Sequence, residues 1–418
     1  MKLGWVSVGI YAKTGYGRMS REICERLVDW SDRYNDLLYL GNEADILMWG
    51  AAKPYETPVD GKTIKVVNFT SPLGNRVEAA GIVKAFGFEY KLEYLIGHWD
   101  VWVLPFLKDV DIPYAVYIPI DAELTQKWVN YMEGAHKVIA YSLFGYEQLK
   151  RFFHPSRIAY IPHGIDTKTF RPLNEGRSGR TRLPALGTVP EDCFLFVSTQ
   201  ANVGERKHIP LLLKTFKRFA ESHPDAHFYM HTNALSEVPY GFDIPALVEQ
   251  LGLAGRVHWP KFNPIVEPAT DEQLNNLYNL GDVYLSNSAG EGFGLPVLEA
   301  MAAGLPVIAP DNSSHRELIQ GHGWLAKSVD TDEYVNYPGY VPTLQNFPVP
   351  NQRDLLNCME EAYYDKKKRE RYASEGVRFA ERYDWSKVMP RWFELLREVE
   401  EEQQLFAQTR VVLKPDRS

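Results

Sequence analysis

Ser286-Asn-Ser-Ala-Gly-Glu-Gly-Phe-Gly-Leu-Pro-Val-Leu-Glu-Ala-Met-Ala-Ala-Gly304, continued by Leu305-Pro-Val-Ile-Ala-Pro310, decides the reading of this chain. Gly281-Asp-Val-Tyr-Leu-Ser runs apolar into a turn of Ser, Asn and Gly, which predicts a strand end. Gly290, Gly292 and Gly294 alternate through that turn, where the backbone needs freedom or another molecule must come close. Pro296 suits the first turn of a helix, and Gly304 with Pro306 ends it. The product is a strand, a glycine turn, a helix and a second buried strand. The free N–H groups at the start of that helix form an anion site. Glu291 stands in the turn and Glu299 about a turn and a half inside the helix, so at ~1.5 Å rise per residue they address points of order 10 Å apart. That suits an elongated nucleotide sugar, with its diphosphate over the helix end. A βαβ crossover with two solvated glutamates is the plainer alternative, but it does not need three glycines ahead of the helix.

Glu291-Gly-Phe-Gly-Leu-Pro-x-Leu-Glu299-Ala-Met-Ala-x-Gly-x-Pro-Val resembles the signature of retaining GT-B glycosyltransferases of family 4 type. The two-glutamate spacing and the apolar and glycine positions around it agree. The resemblance is specific over 282–310, fair over 157–220 and weak in the first 150 residues. It implies two Rossmann-like domains facing across a cleft: residues 1–180 on the acceptor side, 181–384 holding the nucleotide sugar, and 385–418 as a helix returning to the first domain, with a tail.

Composition agrees with a globular multidomain protein. The chain has 418 residues, enough for two or three domains, and its 45% hydrophobic share excludes wholesale disorder. A net charge of −8 gives no reason to expect a nucleic-acid partner. Cys24, Cys193 and Cys358 are odd in number and far apart, which argues against a disulfide framework or a cysteine zinc site. No apolar run approaches the ~20 residues needed to span a bilayer, and Met1 to Ile10 lacks the length and cleavage site of a signal peptide. A cytoplasmic protein is expected. Family acceptors are often lipid-linked, so the resemblance also allows peripheral contact with the inner face of a membrane.

Working outward, Cys193–Thr199 predicts a strand and Pro210 a helix start, with Leu212, Phe216 and Phe219 on one face. Between them lie Arg206 and Lys207. Cleaving a sugar–phosphate bond builds charge on the diphosphate, and preorganised cations lower that barrier. The family carries an Arg and a Lys here, usually several residues apart. Lys207 matches, and Arg206 adjoins it, with Asn202 or Ala201 in the usual arginine region. Two solvated charges ahead of a helix are the alternative. Ala226–His231 predicts a strand; the loop after it and the segment near Lys261 are family positions for the nucleobase. Residues 172–190, rich in Arg, Gly and Pro, read as the linker.

At the other end, Lys2–Gly9 predicts a strand. A loop with Gly15, Gly17, Lys13 and Arg18 follows, then a helix from about Met19 to Trp30. The resemblance makes the loop of Gly15 and Gly17 a second anion cradle that faces the donor phosphate or the acceptor, with Arg18 and Lys13 as its charges; an ordinary tight turn is the alternative. Further strands are expected at 44–49, 62–69, 99–105, 114–120, 137–141 and 157–162. Such alternation predicts parallel sheets with ligands at the C-terminal strand ends. Asp121 ends one strand where family members often place a histidine or adjacent aspartate, and Ile120 stands at the histidine. Asp121 either orients an acceptor hydroxyl or caps a helix starting near Ala122. His163-Gly164-Ile-Asp166 reads as structural, and Asp109-Val-Asp111 as a solvated turn rather than a metal motif. Residues 331–350 form an aromatic insertion that either stacks on sugars or covers a surface.

Taken with the resemblance, these residues imply retaining transfer of a hexose-type sugar from a nucleoside diphosphate sugar, UDP or GDP, to a glycan, lipid-linked or small-molecule acceptor. No metal or other cofactor is expected. Glu291, Asp121, Arg206 and Lys207 are the catalytic candidates. Glu299 would bind the ribose, Glu291 the donor sugar, and Gly292, Phe293, Gly294 and Leu295 with Arg206 and Lys207 the diphosphate. A nucleotide-sugar epimerase of the same fold, or a non-catalytic sugar-binding scaffold, are the alternatives.

Overall fold

The computed structural model describes residues 1–12, 14–42, 55–59, 62–71, 75–173, 189–202, 205–235, 241–262, 264, 267–329, 334–336 and 344–412. Lys13, the strand expected at 44–49, most of the 172–190 linker and much of the 331–350 insertion lie outside them.

The first domain is built on β1 (Leu3–Val8), β2 (Leu38–Asn42), β3 (Tyr55–Val59), β4 (Lys62–Phe69), β5 (Tyr94–His98), β6 (Tyr114–Ile118), β7 (Lys137–Ala140) and β8 (Ile158–Tyr160). Their order is β3-β4-β2-β1-β5-β6-β7-β8, with β3 antiparallel to β4 and the other pairs parallel. The sequence explains the parallel form. Strands such as Leu3-Gly-Trp-Val-Ser-Val8 and Tyr114-Ala-Val-Tyr-Ile118 are buried at every position, as strands covered by helices on both faces must be. The helices are α1 (Gly15–Asp29), α2 (Arg76–Tyr90), α3 (Gln126–Met132) and α4 (Leu143–Lys150). The chain winds outward in both directions from β1 and β5. The crevice for a ligand therefore opens at their C-terminal ends.

The second domain repeats the plan with β9 (Phe194–Thr199), β10 (Ala226–His231), β11 (Val257–His258), β12 (Val283–Leu285), β13 (Val307–Pro310) and β14 (Trp324–Ala326), ordered β11-β10-β9-β12-β13-β14 and parallel throughout. Its helices are α5 (Ile209–Ser222), α6 (Ile244–Gln250), α7 (Asp271–Leu280), α8 (Leu295–Ala302), α9 (Ser313–Ile319), α10 (Gln352–Tyr364) and α11 (Lys366–Ala380). On α5, Leu212, Phe216 and Phe219 are buried on one face, as their spacing predicts. Here the winding reverses between β9 and β12. The loops leaving those two strands are the Arg206–Lys207 loop and the glycine turn.

Finally α12 (Trp385–Val412) crosses to the first domain. Trp392 is wholly buried there, its ring 5.5 Å from Trp5 and 5.0 Å from Tyr117. Gly164 faces the Trp385 indole so closely that a Cβ would overlap it, which gives the His163–Asp166 turn its structural role. The three cysteines are free. Among the described residues, no helix is long and apolar enough to cross a membrane.

Four expectations need correction. The strand expected at 99–105 is instead β5, at 94–98; Val103 N–H closes a turn on the Asp100 carbonyl at 2.9 Å, and Pro105 opens a 3-10 helix over Leu104–Asp109. β2 was not foreseen, because Gly41 and Asn42 make it look like a loop. The helix expected from Met19 starts at Gly15, capped by Thr14. The helix expected near Ala122 starts at Gln126, so Asp121 does not cap it.

Candidate active site

Gly294 caps α8 in the left-handed conformation, φ +90°, which a side chain would resist. Pro296 occupies the first turn, where its missing N–H costs nothing. The turn is pinned from behind: Glu291 N–H donates to Ser313 Oγ at 2.8 Å, and Ser314 Oγ donates to the Glu291 carbonyl at 2.9 Å.

The β9 loop comes alongside it. The Arg206 carbonyl accepts from Ala289 N–H at 2.8 Å, and the Arg206 guanidinium donates to the Gly290 carbonyl. Two cations thus meet Glu291. Lys207 Nζ pairs with its Oε1, and Arg206 Nη1 lies 3.3 Å from its Oε2. Burial opposes the Glu291 charge, but Lys207 and Arg206 outweigh it and hold the carboxyl well below its usual range. Burial and the adjacent Arg206 push the Lys207 ammonium down, against Glu291. Asn202, in the usual arginine region, ties loops instead, donating to the Asn233 and Phe242 carbonyls at 2.9 and 2.7 Å.

The first domain closes over this cluster. Asp121 Oδ2 lies 3.8 Å from Arg206 Nε. A Cβ on Gly292 would stand 2.7 Å from Pro119 Cβ, and one on Gly290 would overlap the Asp121 carbonyl. Gly290 and Gly292 are therefore required by the approach of residues 119–121. Phe347, at the end of the insertion, is buried with Ala122 and Ala289 in one small apolar cluster. This part of the insertion covers the turn.

Glu299 lies deeper. Its Oε1 accepts from Arg18 Nη1 at 2.5 Å and its Oε2 from the Tyr278 hydroxyl at 2.9 Å, while Arg18 Nη2 reaches Asp271 Oδ2 at 3.1 Å. Burial works against the Arg18 charge, but Glu299 and Asp271 raise its pKa. Arg18 stands in the first turn of α1. Gly17 N–H there donates to Thr14 Oγ1 at 3.2 Å, whereas Gly15 faces open space. His231 ends β10 in register with Thr199 of β9, and its ring lies 6.4 Å from that of Phe262, the residue after Lys261.

The structure thus brings Glu291, Arg206, Lys207 and Asp121 into one charged cluster, with Gly292 to Leu295 at its edge. It sets Glu299 apart in a second cluster with Arg18, Asp271 and Tyr278. Four neighbours escaped sequence reasoning: Tyr278, Asp271, Pro119 and His315. His315 is fully buried in the first turn of α9, and burial pushes its pKa down to about 4. No local pattern marks these residues, because they arrive from separate stretches of the chain. Asp111 pairs with Lys84. Among the described residues, no group of three or more His, Cys, Asp or Glu is placed to hold a metal.

Residues 190–337 match the family model described as Glycosyl transferases group 1. The lipopolysaccharide core biosynthesis mannosyltransferase LpsB of Rhizobium meliloti is 29% identical over 162 residues, 38% of this chain and 42% of that protein. The chain spans 41%, 42% and 57% of the first three curated relatives it matches. Sucrose-phosphate synthase of Thermosynechococcus elongatus superposes with a TM-score of 0.74 at 16% identity, over 96% of this chain and 100% of that one. Alr3699/HepE of Anabaena, solved with UDP-glucose, gives 0.70 at 18% identity, over 95% and 100%. These structures share the GT-B fold with the chain.

Proposed function

Because residues 190–337 match the family model described as Glycosyl transferases group 1, we propose that the protein is a retaining glycosyltransferase that moves a hexose-type sugar from a nucleoside diphosphate sugar to a hydroxyl acceptor. The observation that carries this reading is the cluster of Glu291 with Arg206 and Lys207 at the N-terminus of α8. Two cations and a helix end supply positive charge where a departing diphosphate gains negative charge. That is why no metal is invoked. Glu299 receives the ribose hydroxyls and Glu291 the donor sugar hydroxyls.

In the reaction the bond between the anomeric carbon and the diphosphate oxygen breaks, and the acceptor oxygen bonds to that carbon from the same face. The acceptor proton passes to the leaving phosphate oxygen, so no protein base is required. Asp121, on the first-domain side of the cluster, orients the acceptor hydroxyl. HepE with UDP-glucose favours a UDP-sugar donor. LpsB, named for lipopolysaccharide core biosynthesis, favours a glycan or lipid-linked acceptor, and with it work at the inner face of a membrane.

The test is thermal stability against UDP, GDP, ADP and TDP and their sugars, with and without EDTA. The expected outcome is a shift with one base, unchanged by EDTA and abolished in Glu299→Ala. A protein that no nucleotide stabilises would overturn the donor site and leave the non-catalytic scaffold.

A further inference from the structure

Glu299 is almost sealed. Its side chain is 3% exposed, against 25% for Arg18, which pairs with it. Both oxygens are engaged, Oε2 by Tyr278 of its own domain and Oε1 by Arg18 of the other domain. Tyr278 is itself buried at 1% exposure. Arg18 is thus the layer between the carboxylate and solvent. A carboxylate has about four lone-pair sites, and Arg18 and Tyr278 each take one, on different oxygens of Glu299.

We infer that Arg18 is a latch over Glu299: it and the donor's ribose compete for that carboxylate, and binding of the nucleotide moves Arg18 wholly onto Asp271. This rests on Glu299 as the ribose ligand. The exchange needs no stranded charge. Arg18 already touches Asp271, on the exposed side of the pair at 37% exposure, and keeps that partner when Glu299 is taken. The carboxylate exchanges one set of donors for another. Because Asp271 stands on α7 of the second domain, Arg18 still bridges the two domains after the exchange, and nucleotide binding is coupled to the loss of its contact with Glu299 alone. Such coupling is reciprocal, so whatever weakens the latch strengthens binding. Arg18 is here a positioning residue that acts through Glu299.

The experiment measures dissociation constants of UDP and GDP by calorimetry for wild type, Arg18→Gln, Arg18→Lys and Glu299→Gln. Arg18→Gln should bind the nucleotide at least about tenfold tighter, the worth of one charge-assisted hydrogen bond. Arg18→Lys keeps the charge but cannot fork between two carboxylates, so its gain should be about threefold. Glu299→Gln should lose binding. A merely structural arginine would leave affinity unchanged or lower it. Equal or weaker binding in Arg18→Gln, with binding lost in Glu299→Gln, overturns the latch and leaves the donor site standing. Unchanged binding in Glu299→Gln, or none in wild type, overturns both. If Arg18→Gln does not fold, Arg18→Lys decides by the same rule.

Discussion

Replacing Glu317 with Gln should change how stability depends on pH. Glu317 stands on α9 of the second domain, and its Oε2 accepts from Leu143 and Phe144 N–H, at the start of α4 in the first domain, at 2.6 and 3.1 Å. Oε1 is buried without a partner. Burial outweighs the two N–H donors and raises the carboxyl from 4.5 to about 7. The unfolded chain releases this proton near 4.5 and the folded chain near 7, so between those values the folded state holds more protons. Stability then falls as pH rises through that window, and the deficit is complete above 7. At 1.36 kcal/mol per pKa unit, the 4.5-to-7 shift is worth about 3 kcal/mol. Glutamine keeps an acceptor for the α4 amides and does not titrate. The assay is urea unfolding of both proteins from pH 4 to pH 8. The stability of Glu317→Gln relative to wild type should rise by about 3 kcal/mol across that range. Parallel curves would refute the reasoning and show that the amides, not burial, govern this carboxyl.

Other substitutions test the site and its frame. Glu291→Gln should lower turnover by about 10²–10³-fold, as loss of one transition-state contact does, with nucleotide binding kept; nucleotide release and calorimetry measure the two. Gly292→Ala puts a methyl 2.7 Å from Pro119 Cβ. It should force the domains apart, with a cost of about 1–3 kcal/mol by thermal melting and a fall in kcat/KM. Trp392→Ala should cost about 3–5 kcal/mol in urea unfolding, since the ring is wholly buried against Trp5 and Tyr117.

The glycine turn and α8 were legible because several local signals coincide there: strand end, alternating glycines, an early proline and a terminal glycine. Lys207 and Glu291 were legible as candidates for the same reason, since each precedes a helix start. Their direct pairing was not, because it joins loops from β9 and β12 that only the sheet order makes neighbours. Arg18 was visible as a cation near a glycine loop facing the donor phosphate or the acceptor; its distance to Glu299 depends on how the domains close. Asp121 gained a definite place once α3 was seen to begin five residues later. β5 was misplaced because Gly97 and His98 break its apolar run, although both are fully buried. His98 hides its polarity in a bond with Ser20 Oγ at 2.7 Å, and burial pushes its pKa down to about 3.

The returning helix has a consequence in time as well as space. Trp5 and Tyr117 are made early, and the Trp392 ring that seals them is made after the whole second domain. At about 5–20 residues per second, that interval during synthesis is roughly tens of seconds. For that period an aromatic surface meant for the interior stays open to water and to other nascent chains. The first domain to leave the ribosome is thus the last to be finished, and the second domain must fold before residues 385–412 can close the first.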